Sequence, residues 1–99
     1  MRTLLTVAIP IAQGNRAVAD GTLQRVMQQA MATLKPEAAY FATQGGRRGG
    51  FFVFDLADPS QIPAIAEPLF RELEAEVTFA PVMTVEDLTQ GLTQAGRTR

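Results

Sequence analysis

Residues Ala38 to Leu56 read AAYFATQGGRRGGFFVFDL, and the reading of this stretch decides the fold. Aromatic and β-branched residues flank a Gly-Gly pair, the composition of strand, turn and strand. With Gly45 and Gly46 as the two central turn residues, both can take positive φ at low cost, as the primed hairpin turns require. That register sets Gln44 against Arg47, Thr43 against Arg48 and Tyr40 against Phe51. Side chains alternate along a strand, so one face carries Phe41, Phe52, Phe54 and Leu56 while the other carries Tyr40, Ala42, Phe51, Val53 and Asp55. A slip of one residue would exchange the two sets, and Gly49-Gly50 leaves room for a bulge. Helices of the same chain can cover the first face. The second still holds an apolar patch that a soluble monomer rarely leaves open.

Working outward, Thr3 to Ile9 is expected as a first strand, with Leu5, Val7 and Ile9 on one side and Leu4, Thr6 and Ala8 on the other. A strand loaded on both faces belongs in the middle of a sheet. Pro10 ends it, Ile11 to Gly14 reads as a loop, and Asn15 to Asp20 as one helical turn before Asp20-Gly21 interrupts it. Asp20 can cap the main helix, which runs to about Leu34 with Leu23, Val26, Met27, Ala30, Met31 and Leu34 at offsets 0, 3, 4, 7, 8 and 11, one apolar stripe whose methionines are both expected in the core. After the hairpin, Asp58 or Ser60 caps a second helix with Ile62, Ile65, Leu69 and Leu73 in line. Pro68 is expected to kink or split it, at about 3 kcal/mol in an ideal interior. Glu76 to Met83 reads as a fourth strand, and Pro81 points to a sheet edge or to a bulge where no ladder donor is needed. Thr84, with Asp87 three residues on, opens a last helix with Val85, Leu88 and Leu92 on a narrow apolar side; residues 96–99 are expected to fray.

The order β-α-β-β-α-β-α closes most simply as an α+β ferredoxin-like βαββαβ sandwich with an extra C-terminal helix and strand order 4-1-3-2. We read residues 1–99 as a single domain without repeats or linkers. The unclaimed apolar face is expected to meet a second copy, giving a homodimer and a dimeric α/β barrel.

Composition limits the chemistry. The chain has 99 residues, a net charge of −1 and 46% hydrophobic residues, and it lacks cysteine, histidine and tryptophan. Without cysteine there are no disulfides, thiol nucleophiles or thiolate metal sites. Without histidine a haem imidazole, a typical zinc site and a Ser-His-Asp triad are excluded. No metal and no cofactor is expected. There is no basic stripe for nucleic acid and no run long enough to span a membrane. Met1-Arg2 before LLTVAIPIA imitates a signal peptide but has strand alternation, and a cytoplasmic location is expected.

AAYFATQGGRRGGFFVFDL, DPSQIPAIAEPLF and APVMTVEDL together resemble a family of small, functionally uncharacterised bacterial proteins of the dimeric α/β-barrel superfamily. The resemblance implies the fold and the dimer. Superfamily members that degrade haem use a histidine ligand, which is missing here; others catalyse cofactor-free monooxygenation or isomerisation.

Few groups qualify as site residues. Arg47 and Arg48, beside four glycines, can bind an anion through guanidinium forks and turn amides, or simply solvate a hairpin tip. Tyr40 and Asp55 share the second hairpin face. A partner-covered Asp55 would be desolvated and could act as a general base with Tyr40 as proton donor; the plainer reading is a half-exposed strand-end carboxylate paired with backbone or an arginine. Phe51 lies on the same face as a candidate ligand contact. Gln13, with Asn15 and Arg16, follows the first strand, where loops often hold ligand groups, although a polar loop and cap would read the same. Three functions stay open: a small dimer that holds an apolar molecule between its sheets, a cofactor-independent monooxygenase or isomerase in the barrel interior, and a structural or interaction module with no cavity.

Overall fold

A computed structural model describes residues 1–97. The chain runs β1 (Arg2–Ile9), α1 (Ile11–Asp20), α2 (Thr22–Leu34), β2 (Ala38–Gln44), β3 (Arg47–Asp55), a 3-10 turn at Pro59–Gln61, α3 (Ile62–Leu73), β4 (Glu76–Pro81) and α4 (Val85–Arg97). The strands form one open sheet in the order β2-β3-β1-β4, every neighbouring pair antiparallel. This mixed α+β arrangement has the expected strand order and is consistent with a ferredoxin-like fold.

The hairpin register is the one read from sequence. Gln44 opposes Arg47 and Tyr40 opposes Phe51, and Gly45 and Gly46 have φ of 59° and 79°. Two consecutive positive φ values define a turn whose twist matches that of the strands it joins. Pairing runs without a break through Gly49 and Gly50. Leu5, Val7, Phe52 and Phe54 are buried against the helices together with Val26, Leu34, Leu69 and Leu73.

The segment after Pro10 differs from expectation. Ile11 to Gly14 is the first turn of α1, not a loop, and Gly14 N–H donates to Pro10 O at 2.8 Å. Pro10 has φ −56°, already near the helical value, and proline lacks the donor that a helix start could not use anyway. Gly21, at φ 84°, separates α1 from α2, and the Asp20 carboxylate accepts from Thr22 N–H at 2.9 Å, the second cap anticipated from sequence. Met27 packs on the core, whereas Met31 is exposed. Eight residues after Leu23, Met31 has rotated about 80° around the helix and stands at the rim of the stripe.

Asp58 caps the 3-10 turn that leads into α3, and α3 continues through Pro68 without splitting. The carbonyl that loses its helical donor there belongs to Ala64, an exposed residue, so water can replace the bond. β4 ends at Pro81, at the sheet edge, shorter than the strand to Met83 read from sequence. Thr84 and Asp87 form the expected capping box, with Thr84 N–H donating to Asp87 Oδ2 at 3.0 Å and Asp87 N–H to Thr84 Oγ1 at 3.1 Å. Gly96 and Arg97 belong to α4 rather than to a frayed end, and 98–99 lie outside the described residues. No α4 residue is buried. The radius of gyration is 16.0 Å, against about 13 Å for a compact chain of this length, because α4 stands off the body.

Candidate functional site

Strand alternation sends the two adjacent arginines of the hairpin to opposite sides of the sheet. Arg47 crosses the open face above β1 and binds the Glu76 carboxylate of β4. That hydrogen bond and the guanidinium charge hold Glu76 below the usual carboxylate range. Beneath the pair lies Ala8, 5% exposed although its face carries no helix.

Arg48 goes to the helix face. Its Nη2 donates to Asn15 Oδ1 at 3.1 Å, and its guanidinium lies on the backbone of Gly14, where a Cβ would come within 2.6 Å of Nη1. There Arg48 borders a groove of about 300 Å³ between α2 and strands β2 and β3, walled chiefly by Val7, Ile9, Leu23, Met27, Phe41 and Phe52. The groove exists because β2 is an edge strand beyond the reach of the helices. Phe41 therefore remains 62% exposed on the side that should be core. It stacks edge-to-face on Phe52 at 5.7 Å between ring centres, a favoured aromatic geometry.

Among the described residues, no helix packs across the opposite face. Tyr40, Phe51, Thr6 and Thr78 form one row across the four strands, and Ala38, Val53, Leu4 and Ala80 the next. Ion pairs close both ends: Arg47–Glu76 at the turn end, and Arg2–Glu37 and the Met1 ammonium–Asp55, each at 2.6 Å, at the other.

Of the residues singled out from sequence, Tyr40, Arg47, Phe51 and Asp55 lie on the open face and only Arg48 borders the groove. Tyr40 and Asp55 are not brought together. Asp55 lies four residues beyond Phe51, the partner of Tyr40, about 13 Å along the strand, and its side chain is 80% exposed against Met1. Gln13 donates through Nε2 to the Glu72 backbone carbonyl at 2.9 Å and accepts from Arg16 Nε at 3.2 Å, tying α1 to α3. Sequence reasoning missed Gly14, Leu23 and Phe41 as parts of a site. A glycine four residues after Pro10, within an otherwise helix-compatible run, was the available signal for Gly14. Among the described residues no three or more acidic, histidine or cysteine side chains converge to hold a metal, and no helix is long and apolar enough to cross a membrane.

These features define a small α+β protein with a four-stranded antiparallel sheet, helices on one face and an apolar groove at the β2 edge. Residues 3–96 match the family described as Domain of unknown function (DUF3303), and the chain belongs to that family, whose function is unknown. No curated protein and no solved structure matches the chain at a significant level.

Proposed function

We propose that the protein is a homodimeric binder of a small apolar molecule, with the ligand held in the groove between α2 and the β2–β3 hairpin. The observation that carries this reading is the groove itself. At about 300 Å³ it lies at the lower end of ligand sites, which span roughly 300–1,000 Å³, and like them it combines apolar walls with a single charged group. The ligand thus sits under the helices rather than between two sheets. The open sheet face supports the dimer: its two central rows are uncharged, with Phe51, Val53 and Leu4 beside the hydroxyls of Tyr40, Thr6 and Thr78, and its own charges are paired at the ends, so a second copy can cover it without burying an unpaired ion. Two sheets meeting there would form the dimeric α/β barrel of a ferredoxin-like superfamily, a cytoplasmic protein of one domain.

N-phenylnaphthylamine, an uncharged dye that brightens in apolar sites, tests the groove. Leu23→Trp fills the space between α2 and Phe52, and the expected result is dye emission with the native protein and its loss with the variant. Equal emission from both proteins would remove the groove as the binding site.

A further inference from the structure

The groove has an apolar interior and a charged border, and the charge there meets no carboxylate among the described residues. Arg2, Arg16, Arg25 and Arg47 each face a carboxylate within ion-pair distance. Arg48 faces none among the described residues. Its one hydrogen bond goes to the neutral amide of Asn15, which uses one of the five N–H donors of a guanidinium.

The setting of Arg48 differs from that of a solvated hairpin tip. Its guanidinium lies against α1 at Gly14 rather than extending into water, and it occupies space that any larger residue at Gly14 would claim. Glycine is an unfavourable residue inside a helix, and Gly14 is internal to α1 and buried. The adjacent Arg47, on the other face, is neutralised by Glu76. The chain therefore holds one cation in place beside apolar walls and, among the described residues, partners only one of its donors.

From this arrangement we infer that the groove selects an anionic amphiphile, an apolar body lying on Leu23, Met27 and the Phe41–Phe52 pair with a carboxylate against Arg48. The inference rests on the groove being the binding site. A planar carboxylate matches the fork of guanidinium donors, and charge-assisted bonds of this type are stronger than neutral ones. The groove volume suits a fused ring pair or a short acyl chain. Asn15 accepts from Nη2, which holds the guanidinium at the border of the groove that Arg48 helps to line.

Naphthoate and naphthamide, which share shape and differ in charge, provide the test by isothermal titration calorimetry on the full chain. Native protein is expected to bind both and to prefer naphthoate by about tenfold, the effect of one charge-assisted contact. Arg48→Gln should abolish that preference, bringing the two affinities together. Gly14→Ala, which keeps the charge but displaces the guanidinium, should reduce the preference without removing naphthamide binding. Equal affinities in the native protein would overturn the selection of anions and leave the groove intact as an apolar site. A preference that survives Arg48→Gln would overturn the role of Arg48. Binding of neither probe would remove the groove reading and this inference with it.

Discussion

Gly49 and Gly14 show how one substitution can act with opposite sign at two positions. At Gly49 a Cβ would stand 2.8 Å from the backbone carbonyl oxygen of Ala42 and 3.0 Å from Gln44 Cβ. A paired strand cannot retreat from its neighbour, so Gly49→Ala should lower stability by roughly 1–3 kcal/mol, as overpacking usually does, seen as an earlier urea midpoint. At Gly14 the added Cβ meets the far end of the Arg48 side chain, which can swing away. Gly14→Ala should leave the midpoint unchanged or raise it by up to about 1 kcal/mol through helix propensity. Acid should act through surface carboxylates. Hydrogen bonds from Ser60 depress Asp58, those from Thr84 depress Asp87, and Arg25 and Arg47 depress Glu72 and Glu76, from ordinary values of 3.8 for aspartate and 4.5 for glutamate. A folded-state pKa below the unfolded one gives stability that is present above the unfolded value and lost as pH falls through the folded one. Thermal melts should therefore be level near neutrality and fall below about pH 4.5. High salt should flatten that fall, because these groups are exposed and screened.

Among the elements, the hairpin was the most legible. A Gly-Gly pair between two aromatic runs marks the turn, and the register centred on it, which a bulge at Gly49-Gly50 would have shifted, is the one observed. The start of α1 was illegible for a local reason: Gly14 and Asn15 have the composition of a loop, and the space that Arg48, a residue distant in sequence, takes beside Gly14 cannot be read from neighbouring residues. Pro68 misled in the other direction, because the cost of a missing bond falls where the orphaned carbonyl can be hydrated. The capping box of α4 was readable, but its apolar side was not assignable, since periodicity reveals a stripe and not what covers it. The same contrast makes a prediction. Leu73 is fully buried in α3, whereas Leu92 of α4 is 63% exposed. Leu73→Ala should cost about 2–5 kcal/mol in chemical denaturation, and Leu92→Ala should stay within about 0.5 kcal/mol. The site was half legible: Arg48 was named from its glycine setting, but the groove beside it arises from the edge position of β2, a property of the assembled sheet.

For the whole molecule, the proposed dimer gives a direct expectation. Light scattering at micromolar concentration should return twice the 10.7 kDa chain mass. Phe51→Lys, at the centre of the open face, should return the single mass while the circular dichroism spectrum is retained; a native protein of single mass would exclude the dimer. The two margins of the sheet are unlike. β4 carries Glu76 and ends in Pro81, a charge and a missing donor that discourage further pairing. β2 is AAYFATQ, with neither charge nor proline, and among the described residues no strand pairs with its outer side. The edge whose bareness leaves the groove accessible is thus also a template onto which another extended chain can add, the type of uncharged, β-prone segment that seeds aggregation. A lysine at Thr43 would act as a gatekeeper there, lengthening the shelf life of concentrated solutions with no change to the fold.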